Sequence, residues 1–409
     1  MPETVTIDHL AHRGDGVALV GDKPLYVPLT LAGETVQIER KGERAKLLSV
    51  EAPSPQRVDA VCPHYGVCGG CALQHMEPIA YRAWKEEQVK AALASRGIEA
   101  DIRPIVEARP GTRRRAVLSA VRAGGRVLLG YHERMANRLV GIETCPVLTP
   151  RIVAALPTLN GLASRLAPRK GELRLNVLDT TTGLDVAIDG ADRKASRDFP
   201  AFGRFAAEAD FARLSINGEV VIEIRPPALD FAGAAMVPPP GGFVQASAEA
   251  EAAMSQAVLE GLEGAKRVAD LFAGSGTFAL RIAREAMVLA VESDKPAMAA
   301  LDTAWRRAKG LKTISQDVRD LFRSPLRPEE LDGFDAVVFD PPRAGAKEQA
   351  TQLAASKVKT VVAVSCNPAT LARDLRTLID GDYALKWVLP VDQFLFSPHI
   401  EVVALLKRE

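Results

Sequence analysis

One cysteine of this chain stands where a nucleophile could act on a bound ligand. Cys366 lies in the tetrapeptide Ser-Cys-Asn-Pro at 365–368, at the end of the apolar run 360–365, which predicts a buried strand. Open α/β sheets bind ligands just beyond the carboxyl ends of their strands. A thiolate that adds to C6 of a uracil ring makes C5 nucleophilic, and a carboxylate must then remove the C5 proton. Glu401, at the start of the last predicted strand, is the available carboxylate.

A second group of residues could bind a nucleotide-like cofactor. The loop Asp-Leu-Phe-Ala-Gly-Ser-Gly at 270–276 lies at a predicted strand-to-helix turn, where glycines allow close approach and a helix N-terminus offers free N–H groups. Glu292 ends the next strand and could accept hydrogen bonds from ribose hydroxyls, and Asp317 ends the third, near an adenine edge. The glycines also satisfy a dinucleotide fingerprint, so NAD(P) must be weighed. Two features favour S-adenosylmethionine over NAD(P). Asp270 could bind a cationic methionine moiety, and the sequence Asp340-Pro-Pro-Arg is typical of methyltransferases.

Four of the five cysteines have the spacing of metal ligands. Cys62, Cys68 and Cys71 are separated by five and by two residues, and Cys145 lies alone. Four thiolates suit either tetrahedral zinc or a [4Fe–4S] cluster. A zinc ribbon would present two close pairs, so the three-plus-one arrangement favours the iron–sulfur cluster.

The positions of strands, helices and turns predict three domains. Residues 1–52 contain about five short strands separated by turn residues, which predicts a small closed β-barrel. Residues 53–240 hold the four cysteines, a helix over about 81–95 and a strand-rich remainder, which predicts a mixed α+β domain. Residues 241–409 alternate helix and strand, which predicts a Rossmann-like, doubly wound parallel sheet with an antiparallel end. The predicted fold class is therefore α/β.

The composition is that of an ordinary globular protein. The 409 residues are 47% hydrophobic and 25% charged, with 52 Lys and Arg against 51 Asp and Glu, which excludes disordered and fibrous classes. No apolar run approaches the roughly 20 residues of a membrane-spanning helix, the N-terminus lacks the features of a signal peptide, and five cysteines are too few for a disulfide scaffold. We therefore expect a cytoplasmic protein with no membrane partner.

Positive charge is concentrated in one segment. Residues 101–150 hold nine arginines against four acidic residues. Such a segment indicates either a groove for a polyanion or a solvated face, and charge alone does not distinguish the two.

Taken together, these motifs resemble those of one family. The chain is similar to the RNA uracil-5-methyltransferases, in particular the iron–sulfur-containing 23S rRNA enzymes. The resemblance spans nearly the whole chain and is carried by the cysteine pattern, the glycine loop 270–276, Asp-Pro-Pro-Arg-Ala-Gly at 340–345, Val-Ser-Cys-Asn-Pro-Ala-Thr-Leu-Ala-Arg-Asp at 364–374 and, more weakly, His-Ile-Glu at 399–401.

The resemblance implies roles for individual residues. Cys366 would be the nucleophile and Glu401 the base that takes the C5 proton. Residues 1–52 look like the TRAM domain, an RNA-binding module. The chain departs from the family at Ala273, where Cys is common, and at Thr277, where an amide often contacts the cofactor. The implied S-adenosylmethionine contacts are Gln245, Phe272, Thr277, Glu292, Asp317 and Asp340, and the implied [4Fe–4S] ligands are Cys62, Cys68, Cys71 and Cys145.

The expected activity is methylation of C5 of a uridine in structured RNA, with the target base flipped out of its stack. The combination of barrel and cluster favours 23S rRNA over tRNA, and no obligate protein partner is implied. A cytosine-5 RNA methyltransferase is disfavoured because such enzymes carry a Pro-Cys nucleophile, whereas Ser365 precedes Cys366 here. An rRNA-binding assembly factor with a vestigial cofactor site is disfavoured because the expected catalytic positions are intact. With RNA as the ligand, the arginines expected to contact phosphates are Arg113, Arg114, Arg115 and Arg134.

Overall fold

The N-terminal part of the chain folds into a small closed barrel. The computed structural model describes residues 2–192 and 197–408, so Met1, residues 193–196 and Glu409 lie outside the described residues. Strands β1 and β2 are successive pieces of one stretch, and β1 pairs with β5 while β2 pairs with β3, which closes the sheet on itself. The strands lie in the order β1-β5-β6-β4-β3-β2 and are β1 Glu3–Thr6, β2 His9–Leu10, β3 Gly16–Val20, β4 Lys23–Val27, β5 Thr35–Lys41 and β6 Arg44–Ala52.

A cysteine-containing loop and one helix follow the barrel. Helix α1, Pro78–Ala94, begins three residues before the predicted position because a proline suits its first turn and the Glu77 carboxylate caps the Ala80 N–H at 3.0 Å. Val89 and Leu93 of α1 are buried in a hydrophobic core that belongs to the C-terminal sheet. The helix is therefore part of the support of that sheet, although about 170 residues of chain separate the two.

The central part of the chain forms a second sheet, of order β13-β12-β11-β10-β7-β8-β9. Its strands are β7 Arg115–Ala123, β8 Arg126–His132, β9 Leu139–Gly141, β10 Leu173–Thr180, β11 Gly183–Asp189, β12 Phe211–Ile216 and β13 Glu219–Glu223. Helices α2 (Pro150–Leu166) and α3 (Phe199–Glu208) cover it. A hairpin, β14 (Leu229–Phe231) and β15 (Ala234–Met236), packs instead into the core of the next sheet.

The C-terminal part confirms the prediction of an α/β sheet with an antiparallel end. The strand order is β18-β17-β16-β19-β20-β22-β21, with the first five strands parallel and β22 antiparallel to both of its neighbours. The strands are β16 Arg267–Leu271, β17 Met287–Glu292, β18 Ile314–Val318, β19 Ala336–Phe339, β20 Thr360–Ser365, β21 Tyr383–Val391 and β22 Glu401–Arg408. The helices are α4 Ala248–Gly261, α5 Ala279–Ile282, α6 Lys295–Arg307, α7 Pro328–Leu331, α8 Lys347–Ala355 and α9 Pro368–Asp380.

Local signals account for most of these boundaries. Ser247 caps α4 by accepting a hydrogen bond from the Ala250 N–H, as expected for a serine before an amphipathic run. Strand β18 starts at Ile314, and the Lys312 carbonyl before it accepts a hydrogen bond from Trp305 Nε1 at 3.0 Å and belongs to the preceding turn. Within residues 2–192 and 197–408, none of the helices combines the length and apolarity needed to cross a bilayer.

Three of the nine arginines in the segment 101–150 pair with acidic residues of helix α4. The expectation that Arg114 contacts phosphates is wrong, because this residue is only 9% exposed and its guanidinium binds Glu251 at 2.6 Å. Part of the positive charge of residues 101–150 is thus balanced across a contact between the central and C-terminal parts. The pairs with α4 are Arg103–Glu260, Arg109–Glu249 and Arg114–Glu251.

Replacing Glu251 with alanine should destabilise the protein far more than the same change at Glu249. Glu251 is buried and binds both Arg114 and Arg281, and loss of one partner from a buried ion pair costs about 3–5 kcal/mol. Glu249 is exposed, where an ion pair contributes about 0–1 kcal/mol. Urea unfolding followed by circular dichroism measures both changes, and equal midpoints for the two variants would contradict the assignment of Glu251 as the buried anchor of this contact.

Candidate active site

The antiparallel pairing of β20 with β22 brings Cys366 and Glu401 together. Ser365 lies opposite Val402 in this pair, so the same register sets Cys366, the next residue, opposite Glu401. Asp340 follows β19, the other neighbour of β20. Three groups that are distant in sequence therefore meet at one edge of the sheet.

A chain of two glutamine amides connects the two carboxylates. Gln245 Nε2 donates to Asp340 Oδ2 at 3.2 Å, and Gln393 Nε2 donates both to Gln245 Oε1 at 2.9 Å and to Glu401 Oε1 at 3.2 Å. The Gln393 carbonyl oxygen accepts the Ala246 N–H at 2.6 Å, which fixes the orientation of its amide. Gln393 was not predicted from the sequence. Its one local signal is its position as a polar residue two positions after the apolar strand β21.

Burial and mutual repulsion disfavour the charged forms of all three groups. Burial raises the pKa of Asp340 to about 7, and the hydrogen bond from Gln245 offsets part of this effect. Burial, followed by the negative charge of Asp340, raises the pKa of Glu401 to about 8. The pKa of the Cys366 thiol is raised to about 11 by burial and by the two carboxylates, while the Arg343 guanidinium acts in the opposite direction. Groups with pKa values shifted in this way are typical of sites that move protons.

Strand β16 carries an acid without a partner just before the glycine loop. Both carboxylate oxygens of Asp270 are buried and accept no hydrogen bond from the described residues. Burial raises the pKa of Asp270 well above its usual range, and the nearby Ala279 N–H offsets this only in part. Gly276 has φ +91°, and a Cβ there would overlap the Leu301 side chain. Phe272 adopts φ 61°, an uncommon conformation for a residue with a side chain, which is often seen where backbone geometry serves a site.

The other predicted cofactor contacts surround this loop. Glu292 Oε2 accepts the Gly274 N–H at 3.2 Å, which brings its carboxylate to the glycine loop. Thr277 is half-buried in the loop itself. The Phe272 ring contacts Phe322, with 5.4 Å between ring centroids. Asp317 lies on the edge strand β18 and pairs with Arg319 at 2.9 Å.

One large cavity, of about 1190 Å³, lies beside Cys366. It is lined by residues from the barrel, the cysteine loop, the central sheet and the catalytic sheet. Arg113 lies over the ring of Phe394 at 5.6 Å, so it faces this space and not a partner carboxylate. The cavity's arginines are Arg13, Arg113, Arg134 and Arg343, and its thiols are Cys62, Cys68, Cys71, Cys145 and Cys366.

Cys62, Cys68, Cys71 and Cys145 lie close enough to interact electrostatically. The pKa of Cys71 is raised to about 12, first by burial and then by the negative charge of the other three thiolates. In the described part of the chain, no three His, Cys, Asp or Glu side chains converge closely enough to hold a single metal ion. The four predicted ligands therefore all line the cavity, but their sulfur atoms do not lie close enough to one another to bind a single zinc ion.

Comparison with known proteins identifies the family. A family described as tRNA (uracil-5-)-methyltransferase matches residues 236–409. The 23S rRNA (uracil(1939)-C(5))-methyltransferase RlmD of Acinetobacter baumannii is 32% identical over 98% of this chain and 95% of that protein. This chain belongs to the RNA uracil-5-methyltransferase family. The resemblance inferred from the motifs is thus confirmed for the family.

Other similar proteins cover the chain from end to end. An uncharacterised RNA methyltransferase of Brucella suis is 48% identical over 99% of this chain and 97% of its own. The crystal structure of Pyrococcus abyssi tRNA (uracil-54, C5)-methyltransferase with S-adenosyl-L-homocysteine has a TM-score of 0.78 and 23% identity, and it covers 98% of this chain and 99% of that one. The similarity to this crystal structure extends over all three parts of the fold.

Replacing Glu401 with glutamine should stabilise this methyltransferase in a pH-dependent way. Because the pKa of Glu401 rises from 4.5 to about 8 on folding, ionising this group costs free energy in the folded state alone. Wild-type stability therefore falls as pH rises from about 4.5 towards about 8, whereas glutamine cannot ionise. The melting temperature of Glu401→Gln should exceed that of the wild type by several degrees at about pH 8.5 and by almost nothing at about pH 5, since each pKa unit corresponds to about 1.4 kcal/mol.

The control for this measurement is Glu249→Gln, a change on an exposed surface. It should leave the difference in melting temperature from wild type independent of pH. A constant difference for Glu401→Gln across the same pH range would contradict the assignment of Glu401 as a buried acid with a raised pKa.

Proposed function

We propose that this protein methylates C5 of a uridine in structured RNA, with S-adenosylmethionine as methyl donor and 23S rRNA as the favoured substrate. The observation that carries the proposal is the juxtaposition of two groups: the thiol of Cys366, which lines a cavity rich in arginine, and the buried carboxyl of Glu401 beside it. The end-to-end relative named as a 23S rRNA enzyme supports the choice of RNA.

The residues around the glycine loop fit S-adenosylmethionine. Asp270 offers two unpartnered carboxylate oxygens, which suit the cationic amino group of a methionine moiety. Glu292, at the end of β17, is suited to accept ribose hydroxyls. The proposed contacts are Gln245, Phe272, Thr277, Glu292, Asp317 and Asp340. The bound cofactor would supply an electrophilic methyl group, and the archaeal structure of the same fold contains its demethylated product.

The reaction that this site supports requires both Cys366 and Glu401. Sγ of Cys366, as thiolate, forms a bond to C6 of the uracil, and the electron pair of the C5–C6 double bond makes C5 nucleophilic. C5 would then take the methyl group of the bound cofactor, as the bond between the methyl carbon and the sulfonium sulfur breaks and its electron pair stays on that sulfur. The Glu401 carboxylate takes the C5 proton, the C–H electron pair restores the double bond, and the Sγ–C6 bond breaks to release the thiolate. The positive charge of Arg343 favours the thiolate, because it lowers the pKa of Cys366 against the opposing effects of burial and the carboxylates.

The cavity supports RNA as the substrate. Four arginines line the same space as Cys366, and guanidinium groups are well suited to phosphates. A cavity of about 1190 Å³ has room for a flipped nucleotide. The arginines that line the cavity include Arg113 and Arg134 of the predicted set and neither Arg114 nor Arg115, so RNA contact is proposed for the first two.

Nucleoside mass spectrometry on unmodified rRNA and tRNA, incubated separately with the enzyme and S-adenosylmethionine, tests this function. We expect 5-methyluridine in rRNA with the wild type and none with Cys366→Ala, which lacks the nucleophile. Glu401→Gln should trap a covalent protein–RNA adduct that is stable in denaturing gels, because the C5 proton has no acceptor.

Other outcomes decide between the alternatives. 5-Methyluridine only in tRNA would retain the reaction and replace the substrate. 5-Methylcytidine as the product would show that cytosine, and not uracil, is the base that is methylated. A normal amount of product with Cys366→Ala would rule out the covalent mechanism.

We further propose that Cys62, Cys68, Cys71 and Cys145 hold a [4Fe–4S] cluster. The donor set fits, since four thiols share one wall of the cavity and influence one another's ionisation, and a cubane with four irons takes one thiolate at each iron. Such a cluster would supply a cross-link between the cysteine loop and the segment around Cys145. The loop in turn contacts the catalytic part, because the N–H groups of Ala72 and Leu73 both donate to the Phe396 carbonyl, at 2.8 and 3.0 Å.

Cys71→Ser should remove the iron and loosen this contact. We expect anaerobically purified wild type to contain close to four irons per chain, and the variant to lose most of the iron and of the visible absorbance and to melt at a lower temperature. Cys366→Ala is the matched control, because it removes a thiol from the same cavity and should keep the iron. Zinc or no metal in the wild type would refute the cluster without affecting the proposed reaction.

A further inference from the structure

A buried lysine lies beneath the segment that connects β21 to β22. Lys85 of α1 is fully buried, with 0% of its side chain exposed. Its Nζ donates to Asp392 Oδ1 at 2.6 Å, to the His399 carbonyl at 2.7 Å and to the Phe394 carbonyl at 3.4 Å. One ammonium group thus binds both ends of the segment 392–400. All three of its protons are used in this way.

Neighbouring residues hold the same segment at other points. The Tyr81 hydroxyl, one turn before Lys85, donates to Asp392 Oδ2 at 2.8 Å and accepts the Phe396 N–H at 2.9 Å. Phe396 has φ 62°, a conformation that persists only when the surroundings determine it. The segment is therefore fixed from outside and not by its own secondary structure.

Lys85 is close in sequence to none of the reacting groups, yet it fixes the residues that carry them. Gln393, which donates to Glu401, follows Asp392 directly, and the His399 carbonyl lies two residues before Glu401. We propose that Lys85 is a positioning residue for removal of the C5 proton: its ammonium fixes the segment 392–400 so that Glu401 faces Cys366 with its carboxylate ready to accept. This inference rests on the function proposed above and extends it to a residue outside the reacting groups.

The charges that face Glu401 support the same role. They are those of Asp340, Arg343, Lys85 and the Cys366 thiolate, together with the neutral amide of Gln393. Asp340 and burial raise the pKa of Glu401, whereas Gln393, Arg343 and Lys85 lower it. Removing the ammonium should therefore move the pKa of Glu401 upward and leave less of the carboxylate ionised at neutral pH.

The test is Lys85→Met, which keeps an unbranched side chain as far as the ε carbon and removes the ammonium with its charge and donors. We expect kcat to fall about a hundredfold, the loss typical of a small misplacement of a catalytic group, with S-adenosylmethionine affinity unchanged. The methylated protein–RNA adduct should accumulate during turnover, because the step that resolves it is slowed. The pH at which kcat reaches half its maximum should also rise. Lys90→Met, on an exposed position of the same helix, should change none of these.

A double variant that removes the charges of both Lys85 and Asp392 controls for misfolding of the single variant. Lys85→Met leaves Asp392 buried and unpaired, whereas Lys85→Met with Asp392→Asn leaves no unpaired buried charge and should fold. The double variant should also accumulate the adduct. A folded double variant with wild-type kcat, or with reduced kcat and no adduct, would overturn the positioning role.

Glu401→Gln, measured in parallel, separates the two hypotheses. If it traps the adduct while the Lys85 variants do not accumulate it, only the positioning role fails. If wild type forms no 5-methyluridine and Glu401→Gln forms no adduct, the proposed function fails and the inference falls with it.

Discussion

The antiparallel direction of β22 is the constraint on which the site depends. Because β22 runs opposite to β20, its first residue, Glu401, lies beside the last residues of β20 and hence beside Cys366. In a parallel strand of eight residues, the first residue would lie at the other edge of the sheet, about 23 Å away. The reversed direction of one strand therefore brings the thiol of one motif beside the carboxylate of another.

The same arrangement carries an electrostatic cost. Asp340, Glu401 and Cys366 meet at one edge of the sheet, where Glu401 is buried and the other two are half-buried, and Asp270 lies buried in the nearby strand β16. An apolar sheet with helices on both faces provides the stability that tolerates such a cost. The protein supplies few compensating groups, chiefly the Gln245–Gln393 amide pair and the cations near Glu401. Proton transfer at neutral pH requires groups whose pKa values are shifted from their usual range, and burial produces such shifts here.

The sequence predicted what local patterns determine and missed what distant pairing determines. The bounds of β20 were predicted because an apolar run is a local signal of a buried strand. Lys85 was missed because a lysine in a helix normally faces solvent, and its partner Asp392 lies 307 residues away. Arg114 was wrongly predicted to contact phosphates for the same reason, since its charge is visible in the sequence and its pairing with Glu251 is not.

The cavity is assembled from parts of the chain that lie far outside the C-terminal sheet. Three arginines of the segment 101–150 pair with acidic residues of α4, whereas the arginines around the cavity come from the barrel, the central part and the C-terminal sheet, and one of them, Arg134, pairs with Asp15 at 2.8 Å. The segment that carries Gln393 and leads into Glu401 is held by α1 and by the cysteine loop. The cavity and the position of Glu401 thus depend on the same assembled parts, the barrel, the cysteine loop and the C-terminal sheet.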